Sequence, residues 1–541
     1  MNNADLIVAI LKAAGVRHGF GVPSGNVLPM VEAMHAGGID FVLTAHEGSA
    51  GFCADVTGRM TGAPGFAVAT LGPGATNLAT GVGSAYLDRS PMIALTCNLN
   101  TNQLGRRIQM YIDHHALFKP ITKASFALRE GSIAETVQRA IAIALSEPQG
   151  PVHLDLPEDV AVAMAREAVP EPVPGAVTGA SIATVPADAV FADAARILAG
   201  AKRPLALLGM SAIRMADPSL LRSFVERHGI PFASTTMAKG LIDEDHPLSV
   251  GCIERGRRQL QRQLIRAADL IVGLGYDTIE TEAEAWIGDT PLLQIDIEAV
   301  DVDETVTVAG AVTGDLDASF TRLNAMPAAT NDWTDAEIAA HRDAFQQALR
   351  PAIDQLCPHQ VIDAVRDALP RDGVLSFDVG AHTHQIASQW TAHAPRTFLI
   401  TNGWSSMGFG LPGAIAAKLA RPDLPVACIV GDGCFQMTCG EVAVARRQNL
   451  AIPFVILNDQ WLSLIRVKQT RRQFADYGMR LLDDPADAAN RTPAHYFDVP
   501  AVGVTDMAGL QAELARAFAA DGPTVIEAYV DSAHYMDTVF D

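Results

Sequence analysis

The sequence predicts an α/β protein of three domains, each a doubly wound parallel sheet with helices on both faces. Three observations carry that reading. Short apolar runs alternate with stretches of helical pattern, as expected of strands buried on both faces between crossover helices. A Pro-, Gly-, Ala- and Thr-rich stretch from Val169 to Pro186 separates the first set of runs from a second, and another linker is expected near Ala325 to Asp332. The set beyond that linker repeats the scheme of the first. At roughly 100–200 residues per domain, 541 residues suffice for about three domains, each with its own core. The expected domains span 1–166, 187–325 and 355–541.

The elements follow in order. Asp5 to Ala14 is an amphipathic helical stretch, and Gly19-Phe20-Gly21-Val22-Pro23 is an apolar run broken by turn formers. Phe66–Leu71 and Met92–Thr96 read as buried strands, and Val152–Leu156 closes the section before Pro157. The second section has strand candidates at Pro204–Leu208, Leu270–Leu274 and Leu292–Ile297. A helical pattern from Asp335 to Leu349 leads into the third, with strands at Gly373–Phe377, Val426–Val430, Phe454–Leu457 and Thr524–Ala528.

Composition excludes several classes. A hydrophobic fraction of 49% is too high for a disordered chain. No apolar run approaches the ~20 residues of a membrane helix, and Met1–Asp5 lacks the basic-then-apolar layout of a secretory signal. A formal charge of −21 argues against nucleic acid or an anionic membrane as partner. The seven cysteines are scattered without paired spacing, which fits thiols in a reducing compartment. A cytoplasmic location is expected. Cys428, Cys434 and Cys439 lie close together but form no CxxC pair, so no zinc is expected there.

The most informative segment is Ile429-Val430-Gly431-Asp432-Gly433-Cys434, followed by Phe454-Val455-Ile456-Leu457-Asn458-Asp459. Each time an apolar strand ends in oxygen-bearing residues at the carboxyl edge of a parallel sheet, where open α/β folds bind ligands. Glycines let backbone amides approach a phosphate. Asp432 and Asp459 offer hard oxygens suited to Mg²⁺.

That spacing resembles the signature of thiamine diphosphate enzymes. Val42-Leu43-Thr44-Ala45-His46-Glu47-Gly48 resembles the strand bearing that family's glutamate. Leu71-Gly72-Pro73-Gly74-Ala75-Thr76-Asn77-Leu78 closely resembles the acetolactate synthase segment, and Ser406–Gly413 the segment that wedges the cofactor. The resemblance covers essentially the whole chain. It implies a pyrimidine-binding domain, a central Rossmann-like domain and a diphosphate-binding domain, in that order. It also implies a homodimer or homotetramer whose active sites lie between subunits. Asp432, Asp459 and the Trp461 carbonyl are then the implied Mg²⁺ ligands. Gly380, Ala381, His382, Ser405, Gly431, Gly433 and Cys434 are implied at the cofactor, with Met407 propping its bend. Asp459 stands where most relatives have Asn, and Cys434 where they have Ser. Glu47 is implied at the pyrimidine nitrogen, where a buried carboxyl favours the tautomer that acts as base.

The implied reaction is decarboxylation of a 2-oxo acid followed by carboligation, as in acetolactate synthases. Gly25, within Pro23-Ser24-Gly25-Asn26, leaves room for a second substrate where simple decarboxylases carry an acid. The segment Gln109–Pro120 resembles the loop that sets a glutamine over the cofactor, which makes Gln109, His114 and His115 catalytic candidates. Leu464 and Lys468 share a helix face and are candidates for the acceptor site. Leu270–Asp277 resembles the FAD-free type, so FAD is not expected, and with no GxGxxG in the middle section neither is NAD. The alternatives are a non-oxidative 2-oxo acid decarboxylase or C–C lyase, and a regulatory subunit without turnover, against which Glu47 argues. His534–Phe540 is amphipathic and reads as a closing tail.

Overall fold

The computed structural model describes residues 1–170, 185–281, 287–481, 491–539 and 541. Most of the Val169–Pro186 linker, and Phe540 of the tail, lie outside them. Among the described residues no helix is long and apolar enough to cross a membrane.

Three parallel-dominated sheets form. The first holds His18–Gly21 (β1), Asp40–Leu43 (β2), Gly65–Ala69 (β3), Met92–Asn98 (β4), Ala124–Ala127 (β5) and Pro151–Pro157 (β6) in the order β2-β1-β3-β4-β6-β5. The second holds Pro204–Leu208 (β7), Phe232–Ser234 (β8), Ser249–Cys252 (β9), Leu270–Leu274 (β10), Leu292–Asp296 (β11) and Val308–Thr313 (β12), ordered β12-β11-β10-β7-β8-β9. The third holds Val374–Phe377 (β13), Phe398–Leu399 (β14), Val426–Gly431 (β15), Pro453–Asn458 (β16), His495–Tyr496 (β17), Val499–Val504 (β18) and Thr524–Tyr529 (β19), ordered β14-β13-β15-β16-β19-β18-β17. Among the described strands only β17 on β18 pairs antiparallel. Without β17, the third sheet has the topology of the first. Both therefore reverse strand order at the same place, between β1 and β3 and between β13 and β15, and a ligand crevice is expected at the carboxyl ends there.

The expected apolar runs all form strands. Those not foreseen are largely edge strands: β5 and β12 are mostly exposed or half-buried along their length, so their sequences lack a continuous apolar run. One local expectation changes. β2 ends at Leu43, and Glu47 opens the helix Glu47–Thr61 instead of sitting on a strand. His46 is the cause, because its Nδ1 accepts the Gly48 N–H at 3.0 Å and caps that helix.

The helices Glu47–Thr61 and Pro73–Leu87 cross with Gly51 against Gly81. A Cβ on Gly51 would lie 2.7 Å from the Gly81 Cα, so the crossing requires glycine. The third domain's helix Gly410–Ala420 packs on Glu47–Thr61. Phe52 meets Phe409 edge to face at 5.5 Å, and the Cys53 thiol donates to the Pro412 carbonyl at 3.3 Å. The first and third domains thus share one apolar core. The middle sheet has its own core and is tied to the first domain by Arg214–Glu147 at 2.8 Å and Arg89–Asp277 at 3.0 Å.

Candidate active site

At the carboxyl edge of the third sheet lies a cavity of about 570 Å³. Strand ends build one wall. β13 leads to Gly380, Ala381 and His382, β14 to Ser405 and Met407, β15 to Asp432, Gly433 and Cys434 beyond Gly431, and β16 to Asp459 and Trp461. Leu464 and Lys468, one turn apart on the helix Ser463–Arg471, also line it, as does Tyr535 of the tail. The opposite wall comes from the middle domain, including Glu254 and Glu280.

Hydrogen bonds set the loops. Asp378, fully buried just past β13, accepts the N–H of Gly408 at 2.9 Å and of Gly410 at 2.8 Å. It thereby pins the turn that carries Met407. The Cys434 thiol donates to the Val379 carbonyl at 3.1 Å, so its bond runs to the loop after β13. Burial and the neighbouring His384 push His382 down to about 3, leaving a neutral ring whose Nε2 is buried without a partner. A Cβ on Gly433 would stand 2.9 Å from Leu462 Cδ2 and 3.4 Å from Met407 Cε, so the glycine lets those side chains close over the backbone.

Asp432 is 8% exposed; its Oδ1 accepts the Gly433 N–H at 2.8 Å and its Oδ2 the Gln460 N–H at 2.7 Å. Asp459 accepts the Trp461 N–H at 3.0 Å and the Ser463 hydroxyl. Burial, and then Asp459, push Asp432 up to about 8; burial raises Asp459 as well. A buried carboxylate and a half-buried one that repel in this way call for a cation between them. The donor set is all oxygen, which fits Mg²⁺, and the open backbone at Gly433 fits a phosphate. Trp461 is half-buried, with the Arg466 guanidinium 4.0 Å over its ring.

The first domain's candidates gather at the equivalent edge of its own sheet. Gly25 is exposed beyond β1. Glu47, 8% exposed beyond β2, accepts the Asn77 side-chain N–H at 3.0 Å. His114 is buried, and its Nε2 accepts the Gly72 N–H at 3.2 Å. The proton therefore sits on Nδ1, which donates to Asp155 at 2.8 Å. Against the opposing effect of burial, that bond helps hold Asp155 below the ordinary carboxylate range. His115, half-buried, shares a 2.6 Å hydrogen bond with Ser125, and Gln109 is exposed in a turn. None of Gly25, Glu47, Gln109, His114 and His115 lines the cavity of its own chain. Sequence reasoning missed Asp378, Asn77 and Asp155. Asp378 carried a signal, since it follows an apolar strand just as Asp432 does.

Three family domains match this chain in order. The N-terminal TPP binding domain of thiamine pyrophosphate enzymes matches residues 1–117, their central domain 191–323, and their C-terminal TPP binding domain 378–528. The "Probable acetolactate synthase large subunit" of Methanococcus aeolicus is 31% identical over 489 residues, covering 86% of this chain and 82% of that protein. The chain belongs to the thiamine pyrophosphate enzyme family. It is an acetolactate synthase-like member: the acetolactate synthase large subunit of Parasynechococcus marenigrum is 30% identical over 98% of this chain and 88% of its own. Isozyme 1 of Escherichia coli is 29% identical, over 98% and 94%. The C-terminal family match begins at Asp378 and contains the cavity's whole strand-end wall, and the N-terminal match contains Glu47.

Proposed function

We propose that this thiamine pyrophosphate enzyme decarboxylates a 2-oxo acid such as pyruvate and joins the retained fragment to a second carbonyl compound, as acetolactate synthases do. Residues 1–166, 187–325 and 355–541 serve as its pyrimidine-binding, central and diphosphate-binding domains. The observation that carries the reading is the pair of carboxylates, buried Asp432 and half-buried Asp459, lining one cavity together with Gly433 and Met407.

Asp432, Asp459 and the Trp461 carbonyl would hold Mg²⁺. Gly380, Ala381, His382, Ser405, Gly431, Gly433 and Cys434 would hold the diphosphate end, with Met407 beneath the bend. Thiamine diphosphate, when bound, supplies the electron sink that decarboxylation of a 2-oxo acid needs. Asp378 fixes the Met407 turn, and Asn77 orients the Glu47 carboxyl that binds the pyrimidine edge and holds its proton. Glu47 lies outside the cavity of its own chain, so a second copy of the chain brings its Glu47, with Gly25, Gln109, His114 and His115 nearby, to close the site. A homodimer is the smallest active unit. Lys468 on the cavity wall supports an acceptor with an anionic group.

The test is a panel of 2-oxo acids with product identification, with and without Mg²⁺ and thiamine diphosphate. Acetolactate from pyruvate, dependent on both additions, is expected. Free acetaldehyde without acetolactate would instead establish a simple decarboxylase, and turnover indifferent to both additions would sink the cofactor assignment.

A further inference from the structure

Beside the cavity, at the start of the helix Pro358–Ala368, three buried side chains bring metal-ligating atoms together. Cys357 Sγ, a ring nitrogen of His359 and a ring nitrogen of His534 all lie within 4.8 Å of one another. The residues are 0%, 4% and 5% exposed, and the two rings meet edge to face at 5.1 Å. Buried ring nitrogens are hydrogen-bonded as a rule. Here Nδ1 of His359 and both nitrogens of His534 are buried without a partner.

Two other groups among the described residues come as close, but their atoms are already engaged. His114 and His153 bond with Thr96, which like His114 donates to Asp155. Asp243, Asp245 and His393 pair with one another and with Arg371 near the surface. At the third group, only the Cys357 thiol is used, donating to the Gln355 carbonyl at 3.1 Å.

We infer that Cys357, His359 and His534 form a zinc site, separate from the Asp432–Asp459 pair, that clamps the carboxyl-terminal segment to the helix Pro358–Ala368. One thiolate and two imidazoles select Zn²⁺ over Mg²⁺. A tetrahedral ion draws such atoms slightly closer and takes a water as fourth ligand. Pro358, between the first two ligands, restricts the backbone that spaces them. Zinc binding displaces the thiol proton and gives the orphaned nitrogens a partner. The clamp reaches the cavity because Tyr535, which lines it, follows His534 directly and packs with Ala381, Val467 and Val539.

The test uses the full-length protein, stripped of metal and then supplied with Mg²⁺ and thiamine diphosphate so that the carboxylate pair is occupied. Titration with Co²⁺ should give a thiolate-to-metal charge-transfer band and the absorption of tetrahedral cobalt, saturating at one ion per chain and displaced by Zn²⁺. Cys357→Ser should abolish the band, and His534→Gln should weaken binding at least about tenfold. Cys434→Ser, whose thiol lies near the other metal site, should keep the band. No thiolate band in the unaltered protein overturns the proposal. So does a band that survives Cys357→Ser or is lost in Cys434→Ser. Should Cys357→Ser fail to fold, His359→Gln decides: unchanged cobalt affinity there also overturns it.

Discussion

Asp432 and Asp459 follow adjacent parallel strands, β15 and β16, and are linked through Gln460, which follows Asp459 and whose N–H donates to Asp432 at 2.7 Å. Asp432 is buried, Asp459 half-buried, and the two carry like charge, so a cation is the natural counterweight. Asp432→Asn should lower Mg²⁺ affinity about 100-fold, with activity falling in parallel, as measured by calorimetric titration and initial rates. Asp459→Asn should do much less, because asparagine is the usual residue at that place in the family the chain resembles. Equal losses in both variants would contradict unequal roles.

Glu47 is steadied by Asn77 across the start of two helices. Glu47→Gln should cut turnover by orders of magnitude while circular dichroism and thermal melting stay unchanged. Asn77→Ala keeps the carboxyl but frees its orientation, and the loss of one hydrogen bond predicts a fall of about tenfold. Steady-state rates at saturating Mg²⁺ and cofactor separate the two.

Arg59 holds the first and third domains together. Its guanidinium reaches Asp55 at 2.6 Å, Asp88 at 2.8 Å and the Ile400 carbonyl at 2.6 Å, while Asp88 accepts the N–H of Asn402 and Gly403. Arg59→Leu strands two buried carboxylates without a countercharge and should cost about 3–5 kcal/mol, read from urea unfolding. A loss under about 1 kcal/mol would mean that Asp88, already raised to about 6 by burial, simply takes up a proton.

The strands of the three domains were legible in the sequence to different depths. β3, β15 and β16 are buried on both faces and show as unbroken apolar runs. β5 and β12 sit at edges where half-exposed positions dilute that signal. The Asp432–Asp459 pair was readable because strand end, glycine and aspartate are contiguous. The Asp378 clamp on Gly408 and Gly410, and the Asp155–His114 bond, join residues about 30 and 41 positions apart, and no local pattern encodes such a pairing. The helical start of Glu47 was hidden for another reason: histidine is an uncommon helix cap, so His46 gave no stop signal for β2.

Lys468 faces the cavity one helical turn beyond Leu464. If it binds an anionic group of the acceptor, Lys468→Met should raise the acceptor's KM about tenfold or more while decarboxylation of the donor acid, followed by CO₂ release, is unchanged. The product mixture should then shift from carboligation toward free aldehyde. An unchanged product ratio would make the lysine a solvated wall residue.

Glu280 lines the same cavity from the middle domain and gives the chain a pH-dependent stability. It accepts the Thr235 hydroxyl at 2.6 Å and the N–H groups of Met210 at 2.9 Å and Asp277 at 3.1 Å. Burial outweighs these bonds and pushes its carboxyl from 4.5 up to about 8. Between those values the folded chain keeps a proton that the unfolded chain has released, so the contribution to stability falls as pH rises through that window. Glu280→Gln can keep all three bonds: its carbonyl oxygen accepts both N–H groups, and its amide donates to the Thr235 oxygen. The variant should unfold at nearly the same urea concentration as the unaltered chain near pH 5. Near pH 8 it should be more stable by about 3–4 kcal/mol. A constant difference between the two chains across that range would show that Glu280 is ionised throughout.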